Sequence, residues 1–75
     1  MENTAQSLMN LADMLDDNGI DTGSVAITMH TVPAKYIKNF TNIPGLISHD
    51  WKAAYHDNVW LDLEFPGLEV TVWFN

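Results

Sequence analysis

The groups in this 75-residue chain that could do chemistry are ten carboxylates and three histidines, with no cysteine beside them. His49 and His56, next to Asp50 and Asp57, invite a metal site. Their spacing puts them on one face of a helix but on opposite faces of a strand, and no third ligand is fixed by it. Asp62 and Glu64 would point the same way on a strand and could divide acid and base work. A carboxylate pair becomes a mechanism only inside a cleft, and nothing in so short a chain supplies one. Ser48-His49-Asp50 is contiguous, whereas a nucleophilic triad is assembled by the fold from separate segments. Asp16 to Asp21 has a faint calcium-loop look but lacks the full spacing and the terminal glutamate, so a helix C-cap explains it better. The expectation is a chain that is not an enzyme, with no catalytic residue, no metal and no cofactor.

Charge narrows the partners. Asp and Glu outnumber Lys by ten to three, with no arginine, and the net charge is −7. Such a chain repels nucleic acid and anionic membrane and favours a basic partner. Lys35, Lys38 and Lys52 are too few for a phosphate track. No basic leader or long apolar run is present, so the reading is a soluble, cytoplasmic protein that binds no membrane and no nucleic acid directly. The length fits one small domain, residues 1–75, with marginal stability of its own.

The elements that must position these groups follow from periodicity. Asn3 to Asn18 reads as a helix, with Asn3 as cap, Gln6 completing a capping box, and Ala5, Leu8, Leu11, Ala12 and Leu15 as one apolar stripe. Asn18-Gly19 stops it. Asp13, Asp16 and Asp17 fall in its last turns, where negative charge opposes the helix dipole. With Asp21 they form an acidic patch, and a rule broken without local compensation marks a contact surface. Ser24 to His30 reads as a strand, whose place and direction in the sheet the pattern leaves open. Pro33 opens a short second helix. His49 to His56 reads as a strand in preference to a helix, because Asp57-Asn58 suits a two-residue hairpin turn.

Val59 to Phe65 and Leu68 to Phe74 are two strands joined at Pro66-Gly67, with clean period-two alternation. The expected fold is α+β, an α/β two-layer sandwich of order α-β-α-β-β-β. It ends in an antiparallel meander, with the helices on one sheet face. An even register at both turns sets Trp60 opposite Trp73, Tyr55 opposite Trp60 and Trp51 opposite Glu64. One face then carries Trp51, Tyr55, Trp60 and Trp73 with Asp62, Glu64 and Glu69. Aromatics dominate binding hot spots, and a carboxylate rim selects a basic partner.

In size, acidity and lack of cysteine, the chain is similar to the small inhibitors encoded by phages and mobile elements, anti-CRISPR and anti-restriction proteins among them. That similarity rests on size and charge over the whole chain. It implies carboxylates that occupy a basic nucleic-acid channel on a host protein, with aromatic anchors holding them there. The alternative is a structural, self-assembling module that homodimerises through the aromatic sheet face.

Overall fold

The computed structural model describes residues 3–53 and 59–75. Its centre is the hairpin of β3 (Val59–Phe65) and β4 (Leu68–Phe74). Pro66 fixes its own φ, and Gly67 takes φ +71°, the positive value that a two-residue turn after proline requires. That turn pairs Phe65 with Leu68 and fixes every later pair, including Trp60 with Trp73 and Glu64 with Glu69. Leu61, Leu63, Val70 and Val72 are the fully buried core, and all four lie on one face of this hairpin.

Two more strands flank it. β2 (Ser48–Ala53) runs antiparallel to β3, and β1 (Val25–Val32) runs parallel to β4. The order β1-β4-β3-β2 makes a mixed sheet with β1 and β2 at its edges. With two helices among the described residues, the fold is α+β. No helix among the described residues is long and apolar enough to cross a membrane.

β1 outlasts the strand read from sequence because of a bulge. Met29 pairs with Val72 and Val32 with Phe74, so β1 spends one residue more than β4 over this stretch. Thr31 absorbs it at φ +56°, a strained value for a β-branched residue. Met29 and Val32 are an odd number of residues apart and would otherwise face opposite ways. The bulge returns Val32 to the apolar side, where it packs on the core. Pro33 then leads into a 3-10 turn (Ala34–Tyr36) and the one-turn helix α2 (Ile37–Phe40). Phe40, Ile43 and Leu46 close over the core from this segment, and the Phe40 ring meets Phe74 edge-on at 5.7 Å.

The first helix, α1 (Thr4–Asp17), forms for local reasons. Asn3 accepts from the Gln6 N–H at 3.0 Å, while Gln6 Nε2 donates onward to Asn10 at 2.9 Å. At its end, Ile20 N–H reaches Leu15 O and Gly19 N–H reaches Asp16 O, the Schellman arrangement, with Gly19 at φ +59°. Its tertiary packing is thin. No α1 residue is fully buried, and Leu11 is 50% exposed. An apolar cleft of about 320 Å³ lies between Leu8, Leu11 and Leu15 of α1 and Val25, Ile27 and Leu68 of the sheet.

Candidate functional site

The second face of the sheet is polar. The hairpin contributes Trp60, Asp62 and Glu64 from β3 and Glu69, Thr71 and Trp73 from β4. β2 adds Ser48, Asp50 and Lys52, which lie opposite Glu64, Asp62 and Trp60. Together they shape a shallow open groove of about 390 Å³ lined by strand residues alone, among them Asp50, Asp62, Glu64, Glu69, Lys52 and Thr71.

Two pairs of carboxylates face each other directly across strands: Asp50 opposite Asp62, and Glu64 opposite Glu69. Like charges so placed repel. Asp62 is steadied by the Thr71 hydroxyl, which donates to its Oδ1 at 3.0 Å. Lys52 Nζ lies 2.9 Å from Asp50 Oδ2. The hydrogen bond and charge of Asp50 first, and the charge of Asp62 after them, hold the Lys52 ammonium above the ordinary lysine value despite a small opposing desolvation. Glu64 and Glu69 are exposed, with no lysine opposite either of them across the ladders.

Beside the acids, Trp60 and Trp73 stack with ring centroids 4.5 Å apart and planes 29° from parallel. Both are half-buried, because each ring covers the other. This pair is where the alternation and the Pro66-Gly67 turn place it.

Trp51 is a correction. It was expected opposite Glu64 on this face; it pairs with Leu61 and lies on the apolar side, 5.9 Å from the Phe74 ring and 42% exposed. The β2–β3 ladder is shifted by three residues from the expected register, and an odd shift exchanges the faces. The same shift brings Asp50 and Lys52 onto the acidic face, two residues the alternation had not put there. Tyr55, and the Asp57-Asn58 turn expected to set that register, lie outside the described residues.

The other predicted patch is separate. Asp13, Asp16 and Asp17 are exposed at the end of α1, with no basic residue in its last turn. Asp21 is used structurally: its Oδ1 accepts from Gly23 N–H at 3.0 Å. The α1 stripe lines one cleft with the sheet's apolar residues and the groove acids line another, so the two acidic sets do not share a surface. No three His, Asp or Glu side chains among the described residues lie close enough to share a metal ion. Compared with protein-family models, curated proteins and solved structures, the chain matches none.

Proposed function

We propose that this chain is a non-enzymatic, acidic binding protein whose polar sheet face receives a cationic surface of a partner protein. The reading rests on one observation: the two head-on carboxylate pairs in an open groove. The Glu64–Glu69 pair costs roughly 0.2–1 kcal/mol as it stands, while Lys52 already lies against Asp50 in the other. A lysine or arginine entering between Glu64 and Glu69 turns that repulsion into attraction. The stacked Trp60–Trp73 pair at the groove's end offers flat apolar area against which an arginine or an aromatic ring can lie. In the arrangement we infer, α1 and the α2 segment form the second layer of a two-layer sandwich and leave the acids free. Occlusion of a basic nucleic-acid-binding surface, in the manner of a phage-encoded inhibitor, is the biological role most consistent with such a face. Self-association through this same face is disfavoured, because it would bring each acid set against its own copy.

The test uses oligolysine and oligoarginine peptides titrated into the chain at several salt concentrations. Affinity should fall steeply with salt. The double reversal Glu64→Lys/Glu69→Lys, at exposed positions, should weaken binding by about tenfold or more. Equal affinity for the reversed chain would discard the proposal.

A further inference from the structure

We propose that a second copy of the chain pairs with the outer edge of β1, antiparallel about a two-fold axis, and that the two α1 helices pack side by side across that axis.

The edge itself is the first argument. β1 reads VAITMHTV and carries no charge and no proline, the usual guards of an exposed strand edge. The opposite edge strand, β2, is guarded by Asp50 and Lys52. Val25 N–H is turned inward, donating to Gly67 O at 3.0 Å. Alternation therefore turns the N–H groups of Ala26, Thr28 and His30 outward, toward a strand that none of the described residues provides. The bulge at Thr31 ends the flat stretch, so Val25 to His30 is the length available for pairing.

Area is the second. A folded monomer of 8.5 kDa exposes about 4,700 Å². This chain exposes 5924 Å², an excess of roughly 1,200 Å². Its radius of gyration is 13.8 Å, against about 11 Å expected for its length. The excess is of the size that one partner contributes to a specific interface, ~800 Å² or more. Part of it is visible as Met9, Leu11 and Met14, large apolar side chains left open on α1.

Geometry and charge select the copy. α1 sits over β1 and β4, at the β1 side of the sheet. Strands lie ~4.8 Å apart, so a helix over the β1–β4 pair would stand ~10 Å from its symmetry mate, the distance at which helices pack. A two-fold axis makes the mates antiparallel. Asp13, Asp16 and Asp17 of one α1 then lie beside the first turn of the other, which has no acidic residue and is the positive end of that helix dipole. The acids that break a rule within one chain satisfy it across two. The acidic sheet faces of both copies end on one side, as one continuous surface.

Sedimentation velocity over a wide concentration range tests this, with near-ultraviolet circular dichroism reporting the stacked Trp60–Trp73 pair. The wild type should show twice the mass of the chain. Thr28→Pro removes an outward N–H without touching a bond to β4, and should weaken the dimer by ~100-fold or more while the tryptophan signal persists. If that variant loses the signal through misfolding, Met9→Lys/Met14→Lys decides, since these exposed methionines lie on opposite flanks of the α1 stripe and one flank must face the mate; it too should yield monomers. A wild type that stays monomeric at every concentration overturns the proposal. So does a dimer that survives both variants but is lost in Trp60→Ala. The reversal Glu64→Lys/Glu69→Lys should leave the dimer intact, so this proposal and the basic-partner reading fail separately.

Discussion

The β3–β4 hairpin and α1 are of similar length, and each forms for clear local reasons, yet only one of them is buried. Leu61 and Val72 of the hairpin are 0% exposed, while α1 has no fully buried residue. The hairpin is central in the sheet and has strands on both sides. α1 has good caps and a proper stripe, but its stripe meets the sheet across an apolar cleft. Local propensity and tertiary burial are separate contributions, and most helix stability in proteins comes from the second. The molecule therefore divides into a hairpin core buried by its neighbours and a helix that is only partly buried.

Truncation should expose that division most strongly. Leu61→Ala should cost about 3 kcal/mol and strip much of the stability from so small a domain, read as a lower urea midpoint. Leu11→Ala, half-exposed already, should cost under ~1 kcal/mol when measured at a concentration where the chain is monomeric. Equal losses would erase the contrast. Next in size is Asn3→Ala, which removes the α1 cap and should cost about 1 kcal/mol of helix stability. It should show as lost helical dichroism and faster amide exchange in α1, with the tryptophan-stack signal unchanged. The smallest effect belongs to Lys52. Its folded pKa is raised above the ordinary 10.5, so its pairing with Asp50 stabilises the fold below that pH and is lost as pH climbs through the raised value. Lys52→Met should flatten this alkaline decline, followed by thermal unfolding between neutral pH and strong alkali.

Legibility in the sequence followed the turns. Pro66-Gly67 suits a two-residue turn, and from it the pairing of Trp60 with Trp73 and of Glu64 with Glu69 can be counted outward. β2 has no such anchor. A turn at Asp57-Asn58 predicts a ladder displaced by an odd number from the one that forms, which puts Trp51 on the wrong face and hides Asp50 and Lys52. The bulge was also hidden, because its positive φ falls on a threonine instead of the glycine that usually announces one. The parallel pairing of β1 with β4 depends on the whole crossover between them, which no local pattern encodes. The caps of α1 were legible because they are contacts between near neighbours in the chain.

The one-residue insertion at Thr31 also governs which charges share the groove. By rotating the chain half a pleat before Pro33, it sends the following segment off on the apolar side, and Lys35 and Lys38 go with it. Strict alternation would have launched that segment toward the carboxylates, where two ammonium groups could have neutralised them from within. A single surplus residue thus keeps two of the three lysines apart from the sheet's carboxylates and leaves Lys52 as the cation among them.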